Sequence, residues 1–352
     1  MSNVNNFLKR KDIVITPQRY LIEALGAMAQ GLFASLLIGT ILKTAGQQTG
    51  LALLVTIGDY ASAMSGPAMA CAIGYALHAP NFVLFSLVTV GWASNALGGA
   101  GGPLAVLLIA IVAAELGKAV SGETRVDILV TPLVTIFSGV GLALLIAAPI
   151  GAAANRVGGL IMWATEQSPF VMGVLVSVIV GVALTLPISS AAICAALGLT
   201  GLAGGAAVAG CCAQMVGFAV MSYKENGVGG LVSQGLGTSM LQMGNIVRNP
   251  RIWIAPTLAS AVTGPMATCL FRLEMNGAAV SSGMGTCGLV GPIGVYTGWL
   301  NDIAAGAKAA VTAWDWAGLV LLCLVLPAVL SVLFCEAERA LGWIKEGDLK
   351  LG

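Results

Sequence analysis

Charge is what this chain has least of. Only 9% of its 352 residues are Asp, Glu, Lys or Arg, where a soluble globular domain carries about 25%. A globule of this size with so few charges cannot present a polar face to water all round. Its natural solvent is lipid, in keeping with a mean hydropathy of +0.94. A net charge of +1 supplies no basic excess for a phosphate backbone, which excludes a nucleic-acid partner. Histidine is nearly missing too, with His78 alone. The eight cysteines show no C-x-x-C spacing beside a histidine, which argues against zinc. Cys71, Cys194, Cys211, Cys212, Cys269, Cys287 and Cys323 fall in or beside apolar or small-residue stretches, and Cys335 closes the last one. They read as small buried thiols, and no cofactor or metal is expected.

What the chain has in abundance is apolar sequence. Runs recur at 20–42, 50–78, 81–97, 103–120, 127–150, 157–166, 169–199, 201–222, 252–271 and 316–335. The first is longer than a signal-peptide core and no A-x-A site closes it, so it reads as a transmembrane helix of about 20 apolar residues or more. Lys9, Arg10, Lys11 and Arg19 precede it and place the N-terminus in the cytoplasm; Arg339, Lys345 and Lys350 place the C-terminus there too. The expected fold is all-α, a multi-pass integral membrane protein with about ten transmembrane helices and two or more re-entrant or broken segments. Residues 1–19 form a cytoplasmic N-terminal segment, 20–335 a transmembrane domain and 336–352 a cytoplasmic tail.

Several runs are poor simple helices. The stretch 50–78 contains Asp59, Gly66 and Pro67, and 169–199 contains Pro187, Ser189 and Ser190. In lipid, interrupted backbone survives only when buried in protein or facing a hydrated cavity. The 47 glycines include small-xxx-small pairs such as Gly201 with Gly205 and Ala206 with Gly210, which let helix backbones approach closely.

Two stretches stand apart, GGLVSQGLGTSMLQMGN at 229–245 and GAAVSSGMGTCGLVGPIGV at 277–295. Each carries G-[LM]-G-T-[SC], at 235–239 and 283–287, with the apolar run 252–271 between Arg251 and Arg272. Paired Gly/Thr/Ser interruptions of this kind are the best sequence pointer to a transporter's binding site. They are expected to be re-entrant hairpins or unwound helices. Gln234, Gly237, Thr238 and Ser239 in the first, and Gly285 and Thr286 in the second, are candidates to line a solute site. No strand–helix context surrounds these glycines, so a nucleotide fold is not implied. GGAGGP at 98–103 is a candidate third re-entrant tip.

Ionisable groups at membrane depth cost several kcal/mol unless paired or hydrated. Asp59 is expected either to cap a half-helix or to contact the solute. Glu115 and Lys118 are spaced for an ion pair on one helix face. Glu166, with Gln167, ends an apolar run just before Ser168 and Pro169, where a carboxylate could accept hydrogen bonds from a polyol or carry a proton. Glu274, with Asn276, precedes the second glycine motif and is expected to support it. Lys224, Glu225 and Asn226 read as an exposed turn, Asn245, Arg248, Asn249 and Arg251 as a polar loop, and His78 as a structural histidine.

The stretches GKAVSGETRVDILVTPLVTIFSG (117–139), IMWATEQSPFVMGVLVSVIVGVALTLPISSAAI (161–193), GCCAQMVGFAVMSYKENGVGGLVSQGLGTSMLQMGNIVRNPRIW (210–253) and GMGTCGLVGP (283–292) closely resemble a group of bacterial phosphotransferase-system membrane subunits. This is the enzyme IIC type-2 family, which also includes PfoR-like regulators, and the resemblance runs from about residue 15 to 335. It implies a permease in the bacterial inner membrane that carries a small polar, sugar-like solute while separate IIA and IIB proteins supply the phosphoryl group. The chain has no soluble region of its own with a phosphorylatable Cys or His. Glu166 could fill the acidic role that better-studied members give to a membrane glutamate, and a homodimer follows by the same analogy. Two further readings stay open. One is an ion-coupled secondary transporter or exporter using Glu166 or Asp59. The other is a PfoR-type membrane sensor acting through a partner, since no DNA-binding module is present.

Overall fold

The computed structural model describes residues 2–351; Met1 and Gly352, the outermost residues of the two expected tails, lie outside them. It is 82% helical and has no strand among the described residues. The chain divides into two compact units, one of residues 1–46 and 50–153 and one of residues 47–49 and 154–352.

The first unit begins with α1 (Ser2–Arg10) and α2 (Gln18–Thr49). The long apolar run 50–78 is broken, as expected, into α3 (Ala52–Ala63) and α4 (Ser65–Ala76), which meet at Met64. Next come α5 (Asn81–Gly98), α6 (Gly102–Val120) and α7 (Asp127–Thr165). GGAGGP is not a re-entrant tip. It is the turn of a helical hairpin in which α5 packs against α6. Gly99 takes φ +51 there, a left-handed conformation that glycine adopts without penalty, and Pro103 opens α6 where its missing N–H costs nothing. Much of α7 faces outward: only 22% of its most apolar window is buried, and Leu129, Leu133, Phe137, Leu144 and Leu145 are exposed. Such a surface is stable only against lipid.

A charge cluster clasps this unit at one end. Arg19 grips the Asp12 carboxylate with both terminal nitrogens, at 3.0 and 2.6 Å, and also donates to the Leu77 carbonyl at 3.0 Å. Lys118, 2% exposed, donates to the same carbonyl at 2.8 Å and to that of Asp12 at 2.7 Å. It also pairs with Glu115 at 3.1 Å, the expected partner three residues away, and Tyr20 donates to Glu115 at 3.1 Å. Two cations thus face the C-terminal end of α4, where the helix dipole favours positive charge. His78 Nδ1 lies 2.9 Å from Asp12. Asp59, in contrast, caps nothing. It sits inside α3 and pairs with Lys43 at 2.6 Å.

The second unit takes the end of α7 and continues with α8 (Pro169–Thr185), α9 (Ser190–Ala196) and α10 (Gly201–Met221). Then follow α11 (Tyr223–Val232), α12 (Met243–Arg248), α13 (Ile254–Pro265), α14 (Val290–Ala304) and α15 (Ala313–Ala340). The mast of the unit is α10, 89% buried over its most apolar window, with α8, α13 and α15 packed around it. Glycine makes this closeness feasible. A Cβ on Gly210 would fall 2.6 Å from the Ser177 Cα of α8, and one on Gly181 would fall 2.8 Å from the Gly210 carbonyl oxygen. Serine hydroxyls stitch the crossing: Ser177 donates to the Ser260 carbonyl at 2.8 Å, and Ser260 to that of Gly210 at 3.2 Å.

Among the described residues, five helical stretches are long and apolar enough to cross a membrane: α2, the α5–α6 pair taken together, α7, α10 and α15. The expected count of about ten is not reached this way, because the interruptions leave α3, α4, α8 and α13 each too short to qualify.

Two predictions follow from the packing and the charges. Gly210→Ala drives a methyl group into backbone that cannot step aside, and should cost about 1–3 kcal/mol, read as a lowered thermal midpoint in detergent. Gly159→Ala, with nothing within 4 Å of its new methyl, should leave the midpoint unchanged. The second concerns pH. The Arg19 hydrogen bonds hold the Asp12 carboxyl well below the usual carboxylate range, and Lys11, 2.5 Å from Glu123, lowers that carboxyl likewise. Carboxyls depressed by folding contribute stability above their unfolded values of about 4 and lose it as pH falls below them. The wild-type midpoint should therefore fall between about pH 5 and pH 3, and the Asp12→Asn, Glu123→Gln double variant should show a flatter profile.

Candidate functional site

Both glycine motifs are interruptions of helical chain, and both pack onto α10. The first follows α11, itself broken at Gly227 (φ 59, ψ −156). After a wide turn at Ser233–Gly237, Thr238 is extended, and its hydroxyl accepts the Met240 N–H at 3.1 Å to start the short turn Ser239–Gln242. The second begins as extended chain, with Met275 and Gly201 exchanging two backbone hydrogen bonds of 3.0 Å. It then makes the turn Ala279–Gly283 and reverses through Gly285 at φ +52. A Cβ at Gly285 would stand 2.8 Å from the Cys211 carbonyl carbon, so neither the conformation nor the space admits a larger residue.

The two motifs approach along α10 from opposite ends. The second is fixed by Ser190, whose hydroxyl donates to the Gly283 carbonyl at 2.7 Å, and by Ser282, which donates to that of Leu199 at 2.6 Å. The first lies beside Ala219 near the far end of the helix. They meet where Cys287–Leu289 touches Ser233–Gly237. Next to the junction runs a polar network centred on the fully buried Thr185, Gln214 and Ser239. Ser239 lies 2.7 Å from the Thr185 hydroxyl, which donates to Gln214 Oε1 at 3.3 Å. Gln214 also accepts the Trp253 indole N–H at 2.9 Å and donates to Thr257 at 3.2 Å. Thr286 differs from its neighbours. It is 1% exposed, yet its hydroxyl has no hydrogen-bond partner among the described residues, a state that costs about 1–3 kcal/mol when nothing compensates.

Gln234 anchors the first motif from behind, donating to the Ser222 hydroxyl at 2.9 Å and the Gly230 carbonyl at 3.0 Å. Gln242 donates to Gln234 at 2.9 Å and to the Leu349 carbonyl at 2.9 Å, while Asn245 reaches Lys350 O at 2.9 Å. Asn226 takes both the Leu349 carbonyl and the Leu351 N–H at 2.8 Å. A row of amide side chains thus fastens the C-terminal tail against the first motif. This corrects two expectations. Lys224, Glu225 and Asn226 lie in the first turn of α11, and although Lys224 is exposed, the Glu225 side chain is buried against Arg339 at 3.2 Å and Asn226 holds the tail. Asn245 belongs to α12 rather than to a loop. Gln214 and Gln242 went unnoticed in the sequence, and the amides were not read as a row, although Gln242, Asn245 and Asn249 recur at i, i+3 and i+7, one face of a helical turn.

Of the candidate residues, the structure brings together Gln234, Gly237, Thr238, Ser239, Gly285 and Thr286. Glu166 and Gln167 are elsewhere, in the turn between α7 and α8, with Glu166 exposed and Gln167 donating to the Trp163 carbonyl at 3.1 Å. That turn and Thr185 are at opposite ends of α8, whose 17 residues span about 25 Å. Asp59 lies in the other unit. Glu274 precedes the second motif, hydrogen-bonded to Asn276 at 3.2 Å, and lines a separate cavity. Of the thiols, Cys194, Cys211, Cys212, Cys287, Cys323 and Cys335 are buried, Cys71 is half-buried and Cys269 exposed.

No curated protein and no solved structure shows a significant match to the chain. A family model does, that of the phosphotransferase system EIIC, over residues 22–351. That match covers both glycine motifs, α10 and the tail that braces them, and by it the chain belongs to the phosphotransferase-system EIIC family of membrane permease subunits.

Proposed function

We propose that this chain is the membrane subunit of a phosphoenolpyruvate-dependent sugar phosphotransferase system in the bacterial inner membrane. It carries a neutral, sugar-like solute through the junction of its two glycine motifs, and separate IIA and IIB proteins supply the phosphoryl group. The observation that carries this reading is the pairing of interrupted backbone with the partnerless Thr286 hydroxyl. Native proteins rarely leave a buried hydroxyl unsatisfied, and a ligand hydroxyl is the natural complement. The chemistry around it is neutral: hydroxyls, carboxamides and backbone, with Cys287 the one ionisable side chain in residues 235–239 and 283–287. A charged solute would need a counter-charge in such surroundings; a polyol needs only donors and acceptors.

Thr286→Val tests it, because valine keeps the shape and removes the hydroxyl. Thermal stability should stay level or rise, since an unsatisfied group is lost. Uptake in vesicles supplied with phosphoenolpyruvate, IIA and IIB should fall at least tenfold, a loss of about 1.4 kcal/mol. Unchanged uptake by the variant, or full accumulation without IIA and IIB, would overturn the assignment.

A further inference from the structure

The second unit holds another polar site, at the far end of α13 and α15 from the C-terminal tail. It is a cavity of about 340 Å³ lined by Arg272, Glu274, Asn276, Trp299, Asp302 and Lys308, among others. That volume lies near the lower end of the roughly 300–1,000 Å³ range of small-molecule sites, which limits the occupant to about one sugar ring.

The lining is built rather than incidental. Asn276 donates to Glu274 Oε2 at 3.2 Å and to Asp302 Oδ2 at 3.0 Å, so one amide holds two carboxylates side by side. The other oxygen of each, Glu274 Oε1 and Asp302 Oδ1, accepts no side-chain hydrogen bond among the described residues. Trp299 is 3% exposed and braced edge-on by Trp316 at 5.5 Å, a fixed aromatic wall. Lys308 is committed: its ammonium lies 2.7 Å from Asp315 and 5.8 Å from the centre of the Trp299 ring. Asp315 is committed too, closing a capping box with Thr312. Arg272 carries no ion pair among the described residues.

Acceptors from two carboxylates and a donor from a free guanidinium, held beside the buried Trp299, form a combination that a neutral polyhydroxy ligand satisfies. A metal is a poorer fit, since no group of three His, Cys, Asp or Glu side chains converges among the described residues. The flanking charges also give the cavity a side. Lys224, Arg248, Arg251, Arg339, Lys345 and Lys350 flank the tail end of this unit's helices, and Arg272 and Lys308 the cavity end. Positive residues mark the cytoplasmic side, so the cavity opens outward.

We infer that this cavity is an outward-facing capture site for a monosaccharide or hexitol, distinct from the glycine junction. The inference rests on the reading of the chain as a permease for a sugar-like solute. Its test is a titration of the purified full-length protein in lipid nanodiscs with glucose, mannose, galactose, glucitol and mannitol, read by tryptophan fluorescence. At least one should give a saturable change. The Glu274→Gln, Asp302→Asn double variant, which preserves oxygen acceptors for Asn276, should bind it at least tenfold more weakly, while Thr286→Val retains the fluorescence response. Equal affinity in the double variant, a response to calcium ions alone, or no saturable response to any of the five sugars overturns the capture site. Binding lost in Thr286→Val but intact in the double variant would overturn it too, while leaving the glycine junction standing.

Discussion

Backbone that leaves the helix inside a packed protein must find its hydrogen-bond partners there, and the second unit is arranged around that demand. Extended chain at Met275 is paired with Gly201, the Gly283 carbonyl with Ser190, and the Leu199 carbonyl with Ser282. Each partner sits on or beside α10, which explains why that helix is buried nearly all round while α7 turns most of its apolar surface outward. Small residues follow from the same requirement. Two interrupted segments and three helices can share one helix only if Gly181, Gly210 and Gly285 let backbone touch backbone, because in lipid the gain comes from close packing and not from expelled water.

The sequence exposed the interruptions because they are chemically loud. Pro187 and Ser189 end α8 and start α9 as expected, since proline cannot continue a helix and the Ser189 hydroxyl accepts the Ala192 N–H at 3.2 Å. The duplicated G-x-G-T pattern likewise marked two segments that touch in space. What stayed hidden was long-range. Nothing local to Asn226 or Asn245 shows that the chain returns more than 100 residues later to lay its terminal carbonyls against them. The count of long spans falls short of about ten for a related reason: hydropathy measures composition, whereas α3, α8 and α13 are shortened by breaks that leave their apolar character intact.

Glu166 lies apart from the glycine motifs, at the opposite end of α8 from Thr185. In a chain so poor in acids, a carboxylate at a helix break draws attention, but rarity does not locate it. The break at the other end of α8 is the one beside the glycine motifs, where Thr185 joins Ser239 and Gln214. Thr185 and Gln214 escaped notice because neutral side chains carry no alarm of charge. The physics favours them there. A hydroxyl or carboxamide at depth can be satisfied by one or two neighbours, while an ion needs a counter-ion and often water.

That division of labour extends over the second unit. Ionised side chains collect at its helix ends, in the Glu274, Asp302 and Lys308 group at one and the Glu225–Arg339 pair at the other, and neutral groups occupy the middle. A solute recognised by charge-assisted hydrogen bonds at a rim and by neutral ones inside gives up its strongest contacts as it moves inward. Weaker binding at the interior favours passage, since a site that held the solute as firmly at depth would trap it. Separation of a charged rim from a neutral junction is therefore what the proposed passage of an uncharged polar molecule calls for.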